Sequence, residues 1–303
     1  MFVPATSRKF IEAVVTTKKW KPDWIIFDFE DAIRDIFDLE NEGSLKISAR
    51  ETLASYFPFD VDIGSKYLLR INSVDSLPFE ADIEFLKEHT NCPPKAIVLP
   101  KVSSPEHISI LESKLPDGIE IIPLIETPEG VKNIRSILSS SEKIKSFVFG
   151  HIDYYFESNI FPIPLTVLES SEMASIISQF INLSKEMNKT YIDIGFYYDG
   201  KWNELKKHCD FLLYHSGAET SLGKLVIHPD HLNYIGFPME VPGHDPLENI
   251  NYSAFPTGNM KKYASEVVFA YENRSDKNTG ICRLGKTIIP AQVYILAKRY
   301  LNK

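Results

Sequence analysis

A chain of 303 residues and 34.6 kDa, 44% hydrophobic and 24% charged, can bury a large core and has the balance of an ordinary globular protein. Its formal net charge of -8 argues against a general polyanion binder, so nucleic acid is excluded as the expected partner, while a small anion held by a few local cations is not. Cys92, Cys209 and Cys282 are isolated thiols without paired spacing, which points away from a zinc site or a disulfide framework and toward a reducing compartment. The start MFVPATSRKF lacks the basic-then-apolar order of a secretory leader, and no apolar run reaches membrane-spanning length. The expectation is a cytoplasmic protein with no membrane partner.

Short β-type runs recur along the chain: MFVPA, WIIFDFE at Trp24–Glu30, YLLRIN at Tyr67–Asn72, AIVLPKV at Ala96–Val102, EIIPLIE, SFVFGHI, TYIDIGF at Thr190–Phe196 and KLVIHP at Lys224–Pro229. Between them RKFIEAVVTTKKW, SARETLASYF, ADIEFLKEH, HISILESKL and SEMASIISQFINLSKEM carry apolar residues three and four apart, the period of a helix with one buried face. Eight strands alternating with helices predict an α/β fold, a (β/α)8 TIM barrel over residues 1–235, with its chemistry at the C-terminal ends of the strands. After His231 the Pro-, Gly- and Asn-rich stretch GFPMEVPGHDPLENINYSAFPTGN reads as an irregular connection. It leads to a helix at MKKYASEVVFAYENR, a turn at SDKNTG and a last helix at PAQVYILAKRYLNK, so residues 236–303 are read as a C-terminal helical extension or cap.

The strand ends share a chemical theme. Glu126 closes EIIPLI and Asp153 lies three residues beyond SFVFG, with Val131, Ile134, Ile137 and Leu138 between them forming the helical crossover of a parallel pair. The two carboxylates are therefore expected side by side at one barrel mouth, where hard anionic oxygens suit Mg2+. Each also has a plainer reading, Glu126 as charge at the N-terminus of the next helix and Asp153 as an N-cap. Phe27-Asp28-Phe29-Glu30-Asp31 ends strand two, Arg70-Ile71-Asn72 strand three and Pro100-Lys101 strand four. Arg70 is a fixed cation able to hold a carboxylate or a developing enolate by paired hydrogen bonds. Asp28, Glu30 and Asp31 cannot all bind one ion without a large desolvation cost, so at least one is expected to hold a metal's water instead. Taken alone, Arg70 reads as a surface cation, Glu30-Asp31 as a cap and Lys101 as a solvated strand-end lysine; their joint occurrence at strand ends argues for a site. His228, just before Pro229, is read as a turn residue ahead of a metal ligand.

FVPATSRKF, IIFDFEDAI, ISARETL, YLLRIN, AIVLPKV, IIPLIETPEG, FGHID and LGKLVIHPDHL fall in the order and near the spacing of the HpcH/HpaI aldolase/citrate lyase family. The chain resembles most its citrate lyase beta-subunit-like branch, which includes malyl-CoA and citramalyl-CoA lyases, and the similarity thins beyond residue 235. This resemblance implies a barrel with a C-terminal extension, assembled as a homotrimer or homohexamer. It implies Mg2+ bound by Glu126 and Asp153, Arg70 as a catalytic residue on the substrate's carboxylate or keto group, and Glu30 and Asp31 as catalytic residues beside the metal's waters. Arg8, in the first motif, and Lys101 are further substrate-binding candidates. Four departures stand out: the family's glycine after FVP is Ala5, its Ala-Arg pair after strand six is lost around Leu168-Glu169, its GF-x-GK turn is reduced to Ser221-Leu222-Gly223-Lys224, and the Asp of its Gly-Lys-Met-Ile-Asp-type motif, which serves a neighbouring subunit's site, is Ile289.

The function these features imply is a Mg2+-dependent carbon-carbon lyase that cleaves a small hydroxy acid, or its CoA or acyl-carrier thioester, through an enolate. Its partner is a small carboxylic-acid or acyl-thioester substrate. With Ile289 in place of Asp, the base must come from metal-bound hydroxide, from an acid such as Glu30, or from a group the sequence does not reveal. The alternatives are a condensing or thioester-hydrolysing enzyme of the same family, and a non-catalytic metal- or ligand-binding subunit.

Overall fold

The computed structural model describes residues 1–217, 221–235, 241–248, 250, 252, 259–274 and 280–302, without the side chain at position 39. These residues form two compact units, one made of Met1–Phe147 with Gly280 and the other beginning at Val148.

In the first unit strands and helices alternate: β1 (Phe2–Pro4), α1 (Arg8–Val15), β2 (Ile25–Asp28), α2 (Leu39–Ala54), α3 (Val61–Gly64), β3 (Tyr67–Arg70), α4 (Phe79–Glu88), β4 (Ala96–Leu99), α5 (Pro105–Glu112), β5 (Glu120–Ile125) and α6 (Pro128–Ser139). β2, β3 and β4 are buried at every position, as expected of parallel strands covered on both faces. From β1 to β5 each strand pairs in parallel with the next in the chain. Register matters most at the β2–β3 pair, which sets Asp28 opposite Arg70 at the C-terminal end of both strands.

The start of α6 is fixed by its sequence. Thr127 is the N-cap and its hydroxyl accepts from the Gly130 N–H at 2.9 Å, with Pro128 at the first helical position where no N–H is needed. Gly130 is required there, because a Cβ would come within 2.3 Å of the Val102 carbonyl oxygen. Ile134, Ile137 and Leu138 form the buried stripe expected from their spacing.

The chain passes into the second unit along β6 (Ser146–Phe149), and continues through α7 (His151–Glu157), α8 (Ser171–Met187), β7 (Thr190–Asp193), α9 (Trp202–Ser216), β8 (Leu222–Lys224), α10 (Leu232–Ile235), α11 (Met260–Glu272), β9 (Ile281–Leu284), β10 (Thr287–Pro290) and α12 (Ala291–Leu301). β7 and β8 are parallel, with Asp193 opposite Lys224. The strand order of the eight-stranded sheet follows the chain from β1 to β8, which with the intervening helices is the (β/α)8 barrel topology.

Three features differ from expectation. The eighth strand occupies Leu222–Lys224 and not Lys224–Pro229, because its partner β7 ends at Asp193 and the chain beyond turns at Pro229, where His228 caps a short 3-10 turn. A helix, α9, lies where none was read, although Leu205, His208, Cys209 and Leu212 have the three-and-four spacing and are buried. The last helix is preceded by an antiparallel hairpin of β9 and β10, closed by Gly285 at φ +59. The expected turn at SDKNTG lies outside the described residues except for Gly280, as does part of the connection after Ile235.

Candidate functional site

In the first unit the residues at the ends of β2, β3 and β4 form one charged cluster. Arg70 grips Asp28 with two parallel hydrogen bonds, Nε to Oδ1 at 2.7 Å and Nη2 to Oδ2 at 2.5 Å, and places Nη1 3.0 Å from Glu30 Oε2. Asp28 also accepts from the N–H of Glu30 at 2.8 Å and of Ala32 at 3.1 Å, so its oxygens organise the loop that follows β2. Asp28 is thus an anchor for Arg70 and Glu30. Three of the five N–H donors of the guanidinium are committed in this way, and the group also lies 4.7 Å from the Phe2 ring centroid.

Lys101 ties Glu30 to Glu126. Its ammonium is 2.9 Å from Glu30 Oε1, and its backbone N–H donates to Glu126 Oε1 at 2.9 Å. The residue has φ 56, a left-handed conformation that costs energy outside glycine and turns this N–H toward the carboxylate. Burial would raise the Asp31 carboxyl, yet Lys101, Arg34, Arg70 and Lys46 together hold it well below the usual carboxylate range. Glu126 is buried at 2% exposure and is not the cap of α6, a role taken by Thr127. Arg8 lies on α1 and is exposed; nearby, the Tyr56 hydroxyl donates to Glu12 at 3.3 Å.

Sequence reasoning missed the support beneath this cluster. Buried Lys46 donates to the carbonyls of Phe29 and Glu30 at 3.1 and 3.3 Å and to Asn72 Oδ1 at 2.7 Å. Asn72 is held by Asp82 at 2.7 Å, which in turn pairs with Arg50 at 2.8 Å. The available signal was Lys46 and Arg50 one turn apart on α2, a cationic pair on a face that packs inward.

In the second unit Asp153 falls in the first turn of α7, whose N-cap is Gly150. Both its oxygens accept from the Gln292 amide of α12, at 3.1 and 3.2 Å. Glu126 and Asp153 are thus buried carboxylates that each accept from an uncharged N–H, donor groups of the kind a hard divalent cation takes.

A second buried network surrounds Asp193. Its Oδ2 lies 2.5 Å from Lys224 Nζ and 2.9 Å from His208 Nε2, and its Oδ1 accepts from Tyr191 at 3.0 Å. Lys224 also donates to the Ile194 carbonyl at 2.5 Å. Burial, helped by Lys224, lowers the His208 pKa, and the ring bonds Thr166 through Nδ1 at 3.0 Å. Burial likewise takes His151 down to about 3. The sequence signal was plain, since Asp193 ends TYID as Asp28 ends IIFD.

Ile289 is fully buried in β10, opposite Cys282. That strand is held by its own chain, with Ile288 N–H donating to the Tyr197 carbonyl at 2.8 Å. His228 Nδ1 accepts from the Asp230 N–H at 3.3 Å, the turn role expected of it. Asp199, His228 and Asp230 bring ligand-type atoms within 4.8 Å of one another, but Asp199 is paired with Arg283 at 3.1 Å.

Residues 1–194 match the sequence pattern of HpcH/HpaI aldolase/citrate lyase. The chain belongs to the HpcH/HpaI aldolase/citrate lyase family. Within it, the chain is 31% identical over 155 residues to the mitochondrial citramalyl-CoA lyase of Rattus norvegicus, a stretch covering 48% of this chain and 42% of the rat protein. It is 26% identical over 248 residues to that of Homo sapiens, covering 77% of this chain and 67% of the human protein. The rat match therefore spans less than half of that relative's length. Among solved structures, CitE from Mycobacterium tuberculosis in complex with magnesium and pyruvate superposes with a TM-score of 0.60 at 18% identity, over 77% of this chain and 86% of the other. RipC from Yersinia pestis does so with a TM-score of 0.58 at 22% identity, over 78% and 91%. At such identities these two structures speak to the fold of the family. Among the described residues no helix is long and apolar enough to cross a membrane.

Proposed function

We propose that the chain is a Mg2+-dependent carbon-carbon lyase acting on a small hydroxy acid or its CoA or acyl-carrier thioester, with Glu126 and Asp153 as the metal's protein ligands. The observation that carries this reading is the Arg70 cluster: a buried guanidinium, clamped by Asp28 and Glu30 at a strand end, with N–H donors still uncommitted among the described contacts. The local structure supports it as well, since each carboxylate follows a short, largely buried strand, β5 or β6. So do the relatives, whose names describe citramalyl-CoA lyases and a magnesium- and pyruvate-bound CitE.

Mg2+ supplies Lewis-acid polarisation of a keto or hydroxyl oxygen. Arg70 holds the substrate's carboxylate with its remaining donors, and shares the negative charge that develops when the carbon-carbon bond breaks. Asp28 keeps the guanidinium from turning. Lys101 holds Glu30 in place beside it, and the ionised Asp31 adds negative charge to the same loop. Arg8 is left to a solvent-facing role in binding.

Calorimetric titration of Mg2+ into the wild type, Glu126→Gln and Asp153→Asn tests the metal assignment. Binding by the wild type and its loss in both folded variants is expected, because an amide keeps the shape but not the charge. Unchanged affinity in both variants would sink it. Turnover is then read on free hydroxy acids and their CoA thioesters, product keto acid being the signal. A second reading, a binding subunit without turnover, is favoured by one observation: the buried, apolar Ile289 where the family resemblance leads one to expect Asp. Metal binding without cleavage of any member of that panel would select it.

A further inference from the structure

We propose that Gln292 is a positioning residue for Asp153, and that through it the C-terminal hairpin and helix set the chain's affinity for Mg2+. The inference rests on Asp153 being a ligand, as proposed above, and adds the group that aims it.

Gln292 is the second residue of α12 and is 4% exposed, flanked by the buried side chains of Ala291, Val293 and Tyr294. A polar amide at such a position needs partners, and its Nε2 spans the two oxygens of Asp153 at 3.1 and 3.2 Å. The residue type matters. A lysine or arginine there would neutralise the charge that a hard cation requires, and an apolar side chain would offer the carboxylate no hydrogen bond. An amide orients the carboxylate and leaves its charge intact, and it can keep one oxygen while the other is given to a ligand.

The element carrying Gln292 is well anchored. β10 leads directly into α12, and it is fastened to the segment after β7 by the bond from Ile288 N–H to the Tyr197 carbonyl and by the bridge between Tyr198 and Thr287. Asp199 N–H adds a bond to the Lys286 carbonyl at 2.7 Å. On its other side α12 stacks on α11 through Tyr271 and Tyr294, ring centroids 4.5 Å apart at 16°. The amide is therefore delivered by a rigid frame, as precise positioning of a metal ligand demands.

The test uses the full chain and Mg2+ alone, titrated calorimetrically into the wild type, Gln292→Met, Gln292→Asn and Asp153→Asn. Methionine keeps the volume without the amide, and asparagine keeps the amide but withdraws it by one methylene. Each is expected to weaken Mg2+ binding by about 10–100-fold, the usual loss when a group orienting a ligand is removed. Melting in EDTA is expected to stay close to that of the wild type. Hydrogen exchange supplies a readout that a merely structural role would not move: Mg2+ should slow exchange at the start of α12 in the wild type and not in Gln292→Met. Wild-type affinity in both Gln292 variants, with affinity lost in Asp153→Asn, overturns the role of Gln292 and leaves the metal reading standing. Wild-type affinity in Asp153→Asn overturns the reading of Asp153 itself, and this inference with it.

Discussion

The two units use the same device at the ends of their strands and put it to different ends. In the first, the parallel register sets Asp28 opposite Arg70; in the second, it sets Asp193 opposite Lys224. Both aspartates are completely buried and both hold their cation at 2.5 Å. The surroundings differ. Asp193 and Lys224 are closed in by Tyr191, His208 and the Ile194 carbonyl, each of which satisfies one of the remaining bonds. Arg70 is bordered instead by a network of ion pairs that takes in Glu30 and Lys101, with Asp31 close by, and its planar fork keeps donors beyond those its acids use. A buried pair sealed by hydrogen-bonding partners is a latch, whereas one within a larger network of ion pairs and left with open donors is a place for a ligand. The choice of Lys for one and Arg for the other follows the same division.

The largest effect should come from breaking the latch. Asp193→Ala leaves an ammonium buried with no counter-charge, a circumstance that costs about 3–5 kcal/mol. The urea midpoint of unfolding should fall accordingly, and Mg2+ binding should change only as far as folding does. A midpoint within experimental error of the wild type would show that the network relaxes or floods with water, and the two clusters would lose their contrast.

Arg70→Lys probes the other side. Lysine keeps the charge beside Asp28 and Glu30, so stability should suffer less than in Asp193→Ala. It cannot reproduce two parallel bonds to Asp28 while reaching a ligand, and turnover should drop by about 10²-fold, the order seen when one preorganised donor is lost. Equal activity in the lysine variant would reduce Arg70 to a second latch.

Much of this was legible in the sequence because parallel strands are short, apolar and fully buried. β2, β3, β4 and β5 announce themselves as IIFD, YLLR, AIVL and EIIPLI, and a carboxylate or cation at the close of such a run falls at the strand's C-terminal end. What escaped is what depends on three dimensions. Lys46 meets Asn72 across 26 residues and Gln292 meets Asp153 across 139, and nothing local in either stretch records those contacts. The sequence marks Lys101 as a substrate-binding candidate, with a solvated strand-end lysine as its plainer reading, but not as a partner of Glu126, because the left-handed backbone that aims its N–H there has no signature in its side chain. The hairpin before α12 was passed over although LGKT carries the glycine that such a turn wants, and that omission left the placement of Ile289 unsettled.

A third effect separates two acids within the second unit. Glu169 accepts from the Tyr198 hydroxyl at 2.5 Å and from the Leu165 N–H at 2.7 Å, yet burial outweighs these bonds and pushes its carboxyl up to about 7 from an ordinary 4.5. Between those values the folded chain holds a proton that the unfolded chain has released. The stabilisation is thus complete below 4.5 and is lost as pH rises through about 7. Asp193 runs the other way: burial alone would raise it, but Lys224 and His208 depress it, so its contribution is present above the unfolded value of 3.8 and disappears in acid. Glu169→Gln fixes the neutral form at the first site without touching the second. The melting temperature of the wild type, relative to this variant, should therefore decline as pH is raised from about 5 to about 8, while acid unfolding at low pH remains in both. A difference that stays flat over that interval would mean that Glu169 is ionised in the folded chain, and that its bond to Tyr198 is one between a phenol and a carboxylate with no proton to lose.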